Sequence, residues 1–161
     1  MSRFTRILCP VDFDQNSMAA LEFTGELAGE EDGARLDILH VVPIPPGPEV
    51  AIQFDKLEGR ARTRLERLIG SRISPKVRYA LHIRTGDPAS EIIRMAADSG
   101  ADLVVMATHG RKGLRRLVLG SVAERVVREA PCAVLTLKPE LRGRAMRLNR
   151  KPVLARTGVT H

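Results

Sequence analysis

Short aliphatic runs alternate with stretches of helical periodicity along this chain, and that alternation restricts the fold more than any other feature. The runs are RILCP (6–10), RLDILHVV (35–42), VRYALHI (77–83), LVVM (103–106) and CAVLTL (132–137). Between them, apolar residues recur every three or four positions over 14–29, 50–69, 88–99 and 121–129. A repeated strand–helix–strand succession needs crossover connections, which make the strands parallel and place helices on both faces of the sheet. The expectation is an α/β fold, a doubly wound five-stranded parallel sheet. Ligands of such sheets sit beyond the carboxyl ends of the strands, where strand order reverses. That rule brings together three loops: 10–13, 41–44 and 107–121.

Local signals punctuate this order. Asp14, Gln15, Asn16 and Ser17 offer caps for a first helix with Met18, Leu21, Leu27 and Ala28 inward, ended by Gly29 and Gly33. Pro43, Pro45, Pro46 and Pro48 close the second strand. In the helix over 50–69, Leu57, Ala61, Leu65 and Leu68 share one face, while Arg60, Arg62, Arg64 and Arg67 read as a solvated surface beside Glu58 and Glu66. The alternation over 77–83 predicts an edge strand covered on one face. Asp87 caps the next helix, Pro88 takes its first position, and Gly100 stops it.

The loop after the fourth run carries the chemistry. Gly110, Gly113, Gly120 and Ser121 lie among Arg111, Lys112, Arg115 and Arg116. Glycine lets backbone approach an anion closely, and the amino end of the following helix supplies positive partial charge. The helix begins at Ser121, whose hydroxyl is placed to cap it or to meet a phosphate oxygen. No Gly-Lys-Ser/Thr order is present, and no acidic pair is placed to hold catalytic magnesium, so no metal site of the chain's own is expected. His109 has no nucleophile with a third partner and reads as a loop residue orienting the backbone. His40 reads as a satisfied core histidine, and His82 points from the edge strand.

Composition narrows the classes. With four Phe, one Tyr and no Trp, the core is aliphatic and the stacking platforms for single-stranded nucleic acid are missing. No run is long enough to span a bilayer, and the amino end enters a strand, which points to a cytoplasmic protein. Cys9 and Cys132 sit in apolar runs as small hydrophobes rather than as a redox pair or a zinc site. The net charge is +7, but Arg142, Arg144, Arg147, Arg150, Lys151 and Arg156 against Glu140 put +5 of it in residues 139–161. The chain thus divides into a domain over 1–138 and a basic, flexible tail over 139–161.

Six pieces in order (ILCPVDF, LHVV, TGDPASEII, DLVVMATHGRKGL, LGSVAERVV and PCAVLTLK) make the chain resemble the universal stress protein family from Phe4 to about Lys138. The resemblance implies strand order 3-2-1-4-5 and a homodimer paired through the last strand, 132–138. It also implies an ATP site. ATP-binding members carry a glycine, two residues, a second glycine, nine residues, then glycine and Ser or Thr. Gly110, Gly120 and Ser121 match, whereas the first glycine position is Ala107, one methyl larger. Carried over by position, Asp12 meets the adenine or ribose, Pro10 and Val11 wall the base, and Val41 offers backbone hydrogen bonds to the adenine edge. Met106 and Ala107 line the floor. Gly110, Gly120, Ser121 and Val122 cradle the phosphates, with His109 and Arg111 at that end. Any magnesium comes with the phosphates.

The function expected is a stress-response regulator that holds ATP with little or no hydrolysis, at most a slow ATPase. The competing reading is a nucleotide-free dimeric protein-interaction module, motivated by Ala107 and the apolar last strand. A third makes the tail an electrostatic arm for nucleic acid or anionic membrane.

Overall fold

A computed structural model describes residues 4–31, 33–43, 54–108 and 119–138. The elements are β1 (Arg6–Pro10), α1 (Gln15–Glu30), β2 (Arg35–Val42), α2 (Phe54–Ile69), β3 (Arg78–Thr85), α3 (Pro88–Ser99), β4 (Leu103–Ala107), α4 (Ser121–Glu129) and β5 (Ala133–Leu137). The five strands form one parallel sheet in the order β3-β2-β1-β4-β5. The doubly wound reading is therefore correct in strand number, direction and order. The proposed start of α2 at 50 and the tail over 139–161 fall outside the described residues.

Side-chain alternation along the strands divides the core into two layers. Ile7, Cys9, Leu36, Ile38, Leu103 and Val105 point to the α1/α2 face, where they meet Met18, Leu21, Leu65 and Ile69. Leu8, Leu39, Val41, Val104 and Met106 point to the α3/α4 face and meet Ile92, Met95, Ala123 and Val126. Leu8 and Val104 on one face and Ile7 and Val105 on the other are fully buried, so β1 and β4 anchor the sheet. Burial of each such side chain contributes about 1.5–3 kcal/mol.

The ends of the sheet are finished differently. At the amino edge one carboxylate closes the structure: Asp102 accepts the backbone N–H of Thr5 at 2.8 Å, its hydroxyl at 2.9 Å and the N–H of Arg6 at 3.1 Å. Gly100 ends α3 at φ 63°, which favours glycine, and its N–H bonds back into the helix. At the carboxyl edge the strands separate. β1 pairs β4 only at Ile7–Leu103 and Leu8–Val104, whereas β4 continues beside β5 to Ala107–Leu137.

Two expectations need correction. β3 runs over Arg78–Thr85, and Ala80 to Arg84 are half-buried in a continuous run rather than alternating, because α2 and α3 each cover part of one face. On it, His82 reaches the buried Asp37 of β2, Nε2 to Oδ1 at 2.8 Å, and Arg35 joins the same oxygen at 3.2 Å. The second correction concerns Ser121. It is the first helical residue of α4, and the cap is Gly120, which has no side chain to give; no side-chain hydrogen bond caps this helix.

Candidate functional site

The carboxyl ends of β1, β2 and β4 lie side by side at the edge of the sheet where strand order reverses around β1. Pro10 ends β1 and Val11 follows it on one side of the opening, and Met106 and Ala107 end β4 on the other. Ala107 is still in extended backbone, and Phe13 is the one described non-glycine residue with positive φ, so alanine stands here without backbone strain. β2 outruns β1 on the far side. The last β1–β2 register pair is Pro10–Leu39, followed by one bond from Val11 N–H to Leu39 O at 2.8 Å. Peptide groups alternate sides along a strand, so those of Val41, like those of Leu39, face β1, and β1 has already turned away. Val42 O faces the other side, where it accepts the N–H of Gly86 at 3.1 Å. Val41 thus presents a donor and an acceptor edge at the opening.

The β4–α4 loop is held at its mouth. Gly120 N–H donates to Thr108 O at 2.8 Å, and Thr108 N–H donates to Leu137 O at 3.0 Å, which ties the loop ends to each other and to β5. His109, Gly110 and Arg111 lie outside the described residues. Beyond Gly120, the amides of Ser121, Val122 and Ala123 have no described acceptor, and the first intrahelical bond from this end is Glu124 N–H to Gly120 O at 2.8 Å. The amino end of a helix leaves such donors by geometry and adds partial positive charge. Two other described amino ends carry an acidic side-chain cap: Asp14 accepts Ser17 N–H at 2.6 Å in α1, and Asp87 accepts Ser90 N–H at 3.0 Å in α3. Of these three ends, only that of α4 has no side-chain cap.

The β1–α1 turn places Asp12 at the base of the opening. Asp12 Oδ1 accepts the N–H of Asp14 at 3.1 Å, and Asp12 N–H donates to Ser17 Oγ at 3.2 Å. Asp12 therefore builds its own turn with one carboxylate oxygen. Desolvation, and after it the Asp12 charge, raise the carboxyl pKa of Asp14 above the ordinary value despite the Ser17 N–H bond.

Phe13 follows at φ 67°, a conformation that costs about 1–3 kcal/mol in a bulky residue. Its ring lies 4.3 Å from the His40 ring and 4.3 Å from the Arg64 guanidinium carbon. His40 Nδ1 lies 2.8 Å from Val11 O, and since a carbonyl only accepts, Nδ1 carries the proton. His40 is thus the satisfied histidine expected, but Phe13, Arg64 and Thr108 were not singled out from sequence. The pairing of a turn aromatic with a cation in the middle of α2 leaves no spacing signal.

Cys9, fully buried, and Cys132, half-buried, have thiol pKa values pushed by desolvation to about 12 and about 11, so neither offers a thiolate near neutrality. Among the described residues no helix is long and apolar enough to cross a membrane.

The Universal stress protein family model matches residues 3–138. The chain belongs to the universal stress protein family. One family relative, a universal stress protein of Methanocaldococcus jannaschii, is 32% identical over 143 residues, covering 84% of this chain and 82% of its own. The solved structure of another universal stress protein of that organism, MJ0577, superposes with a TM-score of 0.74 at 26% identity, over 87% of this chain and 99% of that one. A universal stress protein solved in complex with cAMP shares the fold, with a TM-score of 0.62 at 20% identity over 85% and 98% of the two chains.

Proposed function

We propose that this universal stress protein binds an adenine nucleotide, ATP in the first instance, in the opening between the loops after β1, β2 and β4. The observation that carries the reading is the amino end of α4, with Gly120 at the cap, no side-chain cap, and the amides of Ser121, Val122 and Ala123 without an acceptor among the described residues. At the other end of the opening, Val41 offers a donor–acceptor edge suited to adenine, with Pro10, Val11 and Asp12 beside it and Met106 and Ala107 beneath. The cAMP held by a relative of the same fold supports the adenine class. His109, Gly110 and Arg111 belong to the phosphate end of this reading.

The chain's own groups bind and orient in this account. Among the described residues at the opening, His40 bonds Val11 O and Asp12 bonds within its own turn. Occupancy then acts by its differential affinity for alternative conformations or assembly states. We further propose a homodimer through β5, an edge strand whose Leu135 and Leu137 remain half-exposed.

The test is to denature freshly purified protein, identify released small molecules by chromatography with mass detection, and repeat with Gly120→Val. Near-stoichiometric ATP or ADP from the wild type and none from the variant is the expected result. Absence of released nucleotide, together with no rise in melting temperature on adding ATP, overturns the reading in favour of a nucleotide-free interaction module, with the Ala107 methyl as its physical reason.

A further inference from the structure

We propose that Arg64 is a positioning residue for the nucleotide opening: stacked on Phe13, it holds the strained backbone at that residue and so fixes the Asp12 turn. The inference rests on the nucleotide reading above and assigns to α2 a role in a site otherwise built by the β1, β2 and β4 loops.

Three observations carry it. First, Phe13 is the only described non-glycine residue with positive φ, and it directly follows Asp12. Such a conformation persists only where the surroundings over-determine it. Second, those surroundings are identifiable. The Phe13 ring meets the His40 ring, tilted at 47°, and the Arg64 guanidinium, each at 4.3 Å. His40 is itself fixed through Nδ1 to Val11 O at 2.8 Å, so the residues on both sides of Asp12, Val11 and Phe13, are held by one imidazole. Arg64 adds a cation over the same ring. Third, the Arg64 guanidinium is committed to that ring. No described carboxylate lies within ion-pair distance of it, whereas Arg62 of the same helix pairs with Glu58 and Arg72 beyond it with Glu22.

The bland account makes Arg64 part of a solvated cationic face, with the ring merely beneath it. The two accounts separate in a coupled test, because glycine adopts φ 67° without cost. Arg64 has work to do only while residue 13 is strained. ATP affinity is measured by titration calorimetry for wild type, Arg64→Ala, Arg64→Lys, Phe13→Gly and the Phe13→Gly/Arg64→Ala pair. The amides of Asp12 and Asp14 are followed by NMR in the ligand-free proteins, with thermal melts confirming folding.

Arg64→Ala is expected to weaken ATP binding about tenfold, the scale of one cation–π contact. Arg64→Lys, which keeps a cation over the ring, should restore affinity to within about threefold of wild type. In the Phe13→Gly background, Arg64→Ala should change nothing further. The Asp12 and Asp14 amides should shift on Arg64→Ala only when Phe13 is present.

Unchanged affinity in Arg64→Ala overturns the proposal. So does an equal loss in both backgrounds, which would mean direct contact with the nucleotide or a general effect on the fold. If the wild type binds no adenine nucleotide, the parent reading fails, and the amide shifts alone decide: shifts absent from Arg64→Ala, or present equally in both backgrounds, defeat the positioning role.

Discussion

α3 and α4 lie side by side on one face of the sheet and both start at its carboxyl edge, yet their amino ends are finished in opposite ways. α3 opens with Asp87, whose Oδ1 takes the N–H of Ser90 at 3.0 Å and its hydroxyl at 2.6 Å, and proline occupies the first turn. α4 opens with Gly120, and its first three amides meet no described acceptor. One helix end is capped by the fold's own carboxylate; the other has no side-chain cap, and the proposed function gives it to an outside anion. An acidic cap contributes stability, and a glycine in its place forgoes only a few tenths of a kcal/mol. Arg125 joins the two, donating to Asp87 at 2.7 Å, so α4 is registered against the capped neighbour.

The sharpest way to break this contrast is to make α4 resemble α3. Gly120 has φ −60° and ψ 151°, angles any residue adopts. Gly120→Asp should therefore fold normally, with a melting temperature equal to wild type or slightly higher. Its carboxylate, set against the phosphates, should weaken ATP binding on the order of 100-fold in calorimetric titration. Retained affinity would mean that the end of α4 is not where the anion sits.

Stability should respond most at the opposite edge of the sheet. Asp102→Ala strips the acceptor from Thr5 and from the Arg6 N–H, and urea unfolding should show a loss of about 2 kcal/mol. ATP affinity should be unchanged, because no part of the opening is touched.

Asp87→Ala should cost about 1 kcal/mol, again without effect on ATP. The hydrogen bonds from Ser90, reinforced by Arg125, hold the Asp87 carboxyl below its ordinary range. A folded-state pKa below the unfolded one contributes stability above about pH 4 that is lost as pH falls through the folded value. The gap between wild type and Asp87→Ala in urea unfolding should therefore be constant from pH 6 to about pH 5 and close as pH falls below about 4. A gap that widened in acid would contradict the assigned cause.

Features that depend on neighbours in sequence were legible before the structure. Asp87, Pro88 and Gly100 bound α3 as their types require, and the five apolar runs became five parallel strands. Where a feature depends on backbone angles or on distant chain, sequence reasoning failed or was silent. Ser121 and Gly120 are adjacent, and which of them caps α4 is decided by which adopts the extended conformation. The edge strand lost its expected alternation because two helices share its cover. Phe13, His40 and Arg64 come from a turn, a strand and a helix, and only folding brings them together around the Phe13 ring. The opening itself was placed by the topological rule, but the free edge of Val41 follows from β2 outrunning β1, a matter of strand length.

The most direct test is an ATP titration of the labelled protein followed through the backbone amides at both helix ends. The account predicts large shifts at Ser121, Val122 and Ala123 and little change at Ala89, Ser90 and Glu91. Shifts that avoid α4, or that are equal at the two ends, would contradict the claim that the uncapped helix is the phosphate site.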